Sequence, residues 1–349
     1  MRAIRTSAIL AFALAAAAPA QAGGPKRIGI IASVGDTSAK PEVAERMLRE
    51  GCNWFRFNLA HKNKRLALRE AGVVREAAQR LGVKVPLLFD LPGGKMRTGP
   101  PPREGSAELR EGQSFTLSYG GRGAPSTAAG ATVDYSRLGP YAEVGGRVLL
   151  HQGKIELEIT AVQPGKIETR VVSGGTLRGH ATVNLVGKDP IFPSMTAQDR
   201  RKLAIAVQSG ADYIGVSMVQ NAGQMQAVRR ALQRLGAPRV KLVSKIETLS
   251  ALENIDALVR ESDLVMIARG DLSTAVGTPE ALRAAEDKIA SACKRQHKPF
   301  IDATGFEGAD AAGQVAHARA LGPRFIMLKN TAIDADPASL VSRLRAQLR

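Results

Sequence analysis

Two apolar runs end in charged residues spaced so that they could act on one ligand. In "VKLVSKIET", Lys245 and Glu247 close an aliphatic stretch, and in "LVMIARGDL", Arg269 and Asp271 do the same. Side chains two apart on a strand share a face, so Lys245 and Glu247 point the same way. Glu247 and Asp271, brought together from neighbouring strands, suit a hard divalent cation, Mg²⁺ or Mn²⁺. Such ions take one or two carboxylates and leave other positions to water and substrate oxygens. A lysine beside that cation could stabilise charge on a transferring phosphoryl group or an enolate. Gly270 permits close backbone approach, and a helical turn from Leu272 would aim free N–H groups at an anion.

Residues of this kind need a scaffold that gathers strand ends. Eight short apolar runs are present: "RIGIIASV", "WFRFNLA", "VPLLFDL", "DYIGVSMV", "VKLVSKI", "LVMIARG", "KPFIDAT" and "RFIMLKN". Most are separated by segments of helical period. One helix is expected from Pro41 to the stop at Gly51, and another from Thr196 to Gly210. A third carries Met225, Val228, Leu232 and Leu235 on one face before Gly236, and a last one aligns Leu340, Leu344 and Leu348. Parallel strands need crossovers, so the alternation predicts a (β/α)8 TIM barrel, with a doubly wound open sheet as the competitor. In a barrel the polar strand ends Arg56, Asn58, Asp90, Ser217, Lys245, Glu247, Asp271, Thr304 and Lys329 would open onto one bowl. Any one of them alone reads equally well as the exposed start of a loop.

One connection breaks the rhythm. After the third run, about ninety residues lack helical period and carry "QSFTLSYG", "GGRVLLHQG", "KIELEITAVQ" and "KIETRVVSG" between glycines and prolines. This predicts a small all-β, barrel-like domain over residues 99–186, inserted into a barrel formed by 23–98 and 187–349. "APSTAAGA" reads as a loop.

Residues 1–22 have the form of a secretory signal: Arg2 and Arg5, an apolar stretch from Ala8 to Ala18, and Ala20-Gln21-Ala22 before the expected cleavage. Export, to a periplasm, is the localisation this predicts. The apolar stretch is too short to span a bilayer, and no membrane association is expected. The formal charge of +17, or +15 without those two arginines, favours anionic partners. Its dispersion and the scarcity of aromatics (4%) argue against nucleic acid; a phosphorylated small molecule suits the charge equally well, as does a merely solvated basic surface, and charge alone decides nothing. Cys52 and Cys293 make no metal spacing and read as buried small hydrophobes.

At these same residues the sequence resembles the pyruvate kinase family. "KLVSKIET" is similar to the family's Ser-Lys-Ile-Glu-Asn strand and "DLVMIARGDL" to its Met-Val-Ala-Arg-Gly-Asp-Leu segment. "GCNWFRFNLAH" resembles Arg-Leu-Asn-Phe-Ser-His, and "PLLFDLPGGKMRTG" resembles Leu-Asp-Thr-Lys-Gly-Pro-x-Ile-Arg-Thr-Gly. The likeness is collinear from about residue 26 to 335 and covers the family's barrel and lid domains, not its C-terminal α/β domain.

The resemblance implies a phosphotransferase acting between phosphoenolpyruvate or pyruvate and ADP or ATP. Arg56 would contact the transferring phosphate, with Arg97 on the nucleotide side. Lys245 would stabilise the phosphoryl group and enolate, and Glu247 and Asp271 would hold Mg²⁺. The backbone at Gly270 and Asp271 would receive the pyruvate carboxylate, Thr304 would help deliver a proton, and Ser217 would line the pocket. Arg56 and Arg269 also admit a plain reading as ion-pair partners. Asn58 and Asp90 remain from the family's K⁺ site, but its serine is Ala60 and its threonine Leu91. Lys95 stands where K⁺-independent members often have lysine, so no K⁺ requirement is expected.

On the lid side, Ala181 replaces a lysine and His151-Gln152-Gly153 replaces Asp-Asp-Gly. Two alternatives therefore stand beside the kinase reading: a metal-dependent 2-oxo-acid lyase or decarboxylase, and a non-catalytic binder of pyruvate or a phosphorylated metabolite. The oligomeric state is left open, with a dimer compatible, since tetramer contacts in the family partly use the absent domain.

Overall fold

The computed structural model describes residues 27–120, 123–304 and 311–348, with the backbone alone at Thr304. Residues 1–22, read as a signal, lie outside the described residues. Eight strands form the centre: β1 (Gly29–Ser33), β2 (Cys52–Asn58), β3 (Leu87–Asp90), β4 (Tyr213–Val216), β5 (Lys241–Ile246), β6 (Leu264–Ala268), β7 (Phe300–Thr304) and β8 (Phe325–Leu328). They close in the order β1-β8-β7-β6-β5-β4-β3-β2, every pair parallel. A closed ring excludes the open-sheet alternative. These are the eight runs expected from sequence.

Period-two alternation decides what each strand offers. Ile31, Trp54, Leu88, Val243, Met266, Ile301 and Met327 fill the barrel interior. Their sequence neighbours, such as Phe55, Phe89, Leu242, Val265 and Ile326, pack outward against the helices. Phe55, Phe57 and Phe89 are wholly buried, each worth about 1.5–3 kcal/mol relative to exposure. The inward parity continues past Val243 to Lys245 and Glu247, and past Trp54 to Arg56 and Asn58. The same rows that pack the interior become polar at its mouth.

The helices begin where local chemistry starts them. Thr196 and Asp199 form a capping box at Ala197–Gln208. Asn221 caps Ala222–Arg234, and Pro41 occupies the first turn of Pro41–Arg49. Gly210 and Gly236 follow helix ends with left-handed φ of 74° and 71°, a conformation glycine adopts without a Cβ penalty. No described helix is long and apolar enough to cross a membrane. Cys52 and Cys293 are buried, free thiols, and burial pushes both up to about 12.

The insertion after β3 has its own core, including Phe115, Leu117, Leu157 and Ile167. Its strands form a six-stranded sheet and a separate two-stranded ribbon, not one closed barrel. The last two residues of "APSTAAGA" are not loop: Gly130–Val133 is a strand paired in parallel with Ser114–Tyr119. Main-chain pairing outweighs the weak strand preference of its glycine and alanine. Just past the insertion, Asp189 anchors the returning chain to the barrel by accepting from the Ser250 N–H at 2.7 Å and from Gln220 Nε2 at 3.0 Å.

Candidate active site

The bowl at the C-terminal mouth of the barrel is a cavity of about 410 Å³. β5 delivers Lys245 and, one residue past its end, Glu247, and the two groups meet at 2.9 Å. Lys245 also donates to Ser217 Oγ at 2.7 Å and lies 3.3 Å from Asp90 Oδ2. Arg56 grips the same Asp90 oxygen through Nε at 3.1 Å and Nη2 at 2.9 Å. Lys245, Glu247 and Asp90 are 6%, 2% and 1% exposed, so these interactions act where water screens little.

That setting sets the protonation states. Burial pushes the Lys245 ammonium toward neutrality, but Asp90 and Glu247 more than offset it and hold its pKa above the ordinary lysine value. Burial likewise works against the Asp90 carboxylate, which Lys245 and Arg56 hold below its usual value. Gly215 makes room for this cluster: a Cβ there would stand 2.1 Å from Asp90 Oδ1.

Asp271 arrives by a route different from the one expected. β6 ends at Ala268, and Arg269 already begins the helix Arg269–Val276, which places Asp271 in its first turn. The anion-favouring N–H groups therefore start at Arg269 rather than at Leu272. The Asp271 side chain lines the same bowl as Glu247. Burial would raise its pKa, yet Lys95 at 2.7 Å, aided by Lys245, holds it down to about 2. Two carboxylates in one bowl fit a divalent cation that keeps positions for water and substrate. Among the described residues no cluster of three or more His, Cys, Asp or Glu side chains forms a fuller cage.

Arg56, Asn58, Lys95, Arg97, Ser217, Lys245, Glu247, Gly270 and Asp271 all line the bowl, with Asp90 directly beneath. Arg97 reaches it from the lid junction, where its Nη1 donates to the His180 carbonyl at 2.9 Å. The three monovalent-site positions are not gathered on one point. Asn58 Oδ1 accepts from the Ala60 N–H at 3.2 Å, and Asp90 serves Arg56 and Lys245. Lys95 takes Asp271 instead. Thr304 closes β7; its side chain lies outside the described residues, and among the described side chains of β7 Ala303 lines the bowl. Arg269 turns away from the bowl to Glu286 and Asp302, both at 2.8 Å, which matches its plain reading as an ion-pair partner.

Sequence reasoning missed two contributors, Met218 and His61, and named a third, Gln152, only as a departure on the lid side. The Met218 N–H donates to Glu247 Oε2 at 2.6 Å from a left-handed backbone of φ 55°. His61 lines the bowl, with its pKa lowered by burial and then by Arg97 and Arg56. Gln152 comes from the lid and also has positive φ, at 60°. The "NLAH" turn carried a signal that pointed at Asn58, and "HQG" one that marked a replaced lid motif; Met218 carried none. A left-handed non-glycine has no signature in composition or period.

A family model described as the barrel domain of pyruvate kinase matches residues 25–309. The pyruvate kinase of Geobacillus stearothermophilus is 30% identical over 281 residues, which is 80% of this chain and 47% of that protein. Those of Agrobacterium vitis and Aeropyrum pernix are 30% and 29% identical over 279 residues, each over 80% of this chain and over 56% and 58% of their own lengths. The chain spans about half the length of the curated relatives it matches. With the closed eight-stranded ring, the polar strand ends and this match in a single sequence, the chain belongs to the pyruvate kinase barrel-domain family.

Proposed function

We propose that the protein is a Mg²⁺-dependent phosphotransferase that moves a phosphoryl group between phosphoenolpyruvate or pyruvate and ADP or ATP. The observation that carries this reading is the strand-end cluster, with Lys245 on Glu247 at 2.9 Å and Asp271 lining the same bowl. Five cationic side chains line the bowl against two carboxylates, with Asp90 below. The surplus suits a substrate bearing phosphate and carboxylate together.

In this reading Glu247 and Asp271 hold the divalent ion, which supplies charge neutralisation at phosphate and enolate oxygens. Lys245, fully charged, stabilises negative charge as it shifts between those oxygens. Arg56 orients the phosphoryl group, Ser217 fixes the Lys245 ammonium, and the N–H groups at Gly270 and Asp271 take the carboxylate. K⁺ is not required, because Ala60 and Leu91 bring no side-chain oxygen to the monovalent site. Turnover that depends strictly on added KCl in Na⁺-free buffer would remove that part. Calorimetric titration with Mg²⁺, oxalate and ATP tests the whole: Mg²⁺-dependent binding of both anions is expected, with ATP weakened by Arg97→Ala. Export belongs to the proposal as well, and N-terminal sequencing of the mature protein should begin at Gly23.

A second reading, enolate chemistry or ligand binding without a nucleotide, is favoured by one observation. Ala181 is 1% exposed and packs in the lid core, so that position offers no charge to a nucleotide. Proton exchange at the pyruvate methyl without nucleotide, followed by NMR, would support the lyase form. Binding with neither exchange nor transfer would support the non-catalytic one.

A further inference from the structure

The site as folded already holds a cation on each acid of the proposed divalent pair, and the two are held very differently. Lys245, on Glu247, is buried and tied to Ser217 and Asp90 as well. Lys95, on Asp271, has a side chain 18% exposed, and its only hydrogen bond among the described residues is that one. The backbone that carries it is fixed. Gly93 is left-handed at φ 71°, and a Cβ there would stand 2.5 Å from the Ser217 carbonyl. One at Gly94 would stand 2.4 Å from the Phe192 ring. Movement is thus left to the four-carbon stem of Lys95, which has solvent and bowl on one side and Asp271 on the other.

We propose that Lys95 is a displaceable counter-ion: it neutralises Asp271 until a divalent cation takes that carboxylate, and its ammonium then turns into the bowl to meet the anionic substrate. The inference rests on the reading of Glu247 and Asp271 as the divalent pair. Arg56, Lys245 and Lys95 balance Asp90, Glu247 and Asp271 charge for charge. A divalent ion added with Lys95 still in place would set like charges side by side in a poorly screened site. Departure of the ammonium removes that repulsion, and an anion arriving in the bowl regains the lost ion pair. Cation and anion binding become coupled through one side chain, so each strengthens the other.

The test is calorimetry on the full mature chain with Mn²⁺ alone, then with oxalate in the presence and absence of saturating Mn²⁺. Lys95→Met and Lys95→Gln should both bind Mn²⁺ about tenfold more tightly than wild type, within the usual range of such couplings. Both should also lose most of the gain in oxalate affinity that Mn²⁺ confers. Equal or weaker Mn²⁺ binding in the two variants overturns the inference and leaves the divalent site standing. Tightening in Lys95→Met that Lys95→Gln does not share also overturns it, since both variants remove the same charge. Absence of Mn²⁺ binding in wild type and variants, or binding unaffected by Glu247→Gln, overturns the inference and the divalent site together.

Discussion

The Lys245 ammonium lies 2.9 Å from the Glu247 carboxylate, and both side chains are almost completely withdrawn from solvent. The pair forms because residues 243, 245 and 247 share the inward face of β5, so one parity rule supplies both core and chemistry. Replacing Lys245 by Met leaves Glu247 and Asp90 buried with less compensation, a change that typically costs about 3–5 kcal/mol. Urea unfolding should show that loss, and adding Glu247→Gln should restore part of it. The proposed phosphoryl transfer should fall by at least about 10²-fold in the Lys245→Met variant, the scale of removing one preorganised charge stabiliser.

Gly215 pairs in register with Asp90 across β4 and β3. Its missing side chain is the space the Asp90 carboxylate occupies. Gly215→Ala should destabilise the barrel by about 1–3 kcal/mol, the usual cost of overpacking. Because Asp90 would have to move, the loss should be smaller in a Gly215→Ala/Asp90→Ala background. A thermal unfolding cycle on the four proteins checks this.

Two aspartates should answer acid in opposite directions. Burial raises Asp302 to about 6, against the pull of Arg269, so the folded state binds its proton more readily than the unfolded chain. Stability relative to Asp302→Asn should therefore rise by about 2–3 kcal/mol as pH falls from 7 to 4. Asp271, held at about 2, contributes stability that is present above its unfolded value and lost as pH falls through 2. Relative to Asp271→Asn, wild type should hold its advantage at pH 5 and lose it between pH 4 and 2. Denaturant titrations across this range read both.

Met218 holds a left-handed backbone while its N–H serves Glu247. A non-glycine residue there costs about 1–2 kcal/mol. Met218→Gly should keep Mn²⁺ affinity and not lower the melting temperature, whereas Met218→Val, branched at Cβ, should lower both. Calorimetry and thermal unfolding of the two variants separate backbone geometry from side-chain packing.

Much of the fold was legible before any coordinates. The strands of the ring are the eight apolar runs, and the helix stops at Gly210 and Gly236 fall where the glycines mark them. These signals are local: alternation, capping and punctuation act over a few residues. The lid was only partly legible. Its strands Ser106–Leu109, Gly175–Arg178 and Val183–Leu185 are three or four residues long, too short to show a period. The helix start at Arg269 was hidden too, because its Ala268 cap makes no side-chain hydrogen bond.

By itself the sequence determined which residues sit at strand ends and on which face, since a strand's parity is a property of neighbours along the chain. Tertiary structure alone decided who meets whom. Lys95 could serve Asn58 and Asp90 or Asp271, and closure of the ring with the loop after β3 pinned against Ser217 and Phe192 brought it to Asp271. Such pairings join residues up to 176 positions apart, where no local rule reaches and only packing sets the distance.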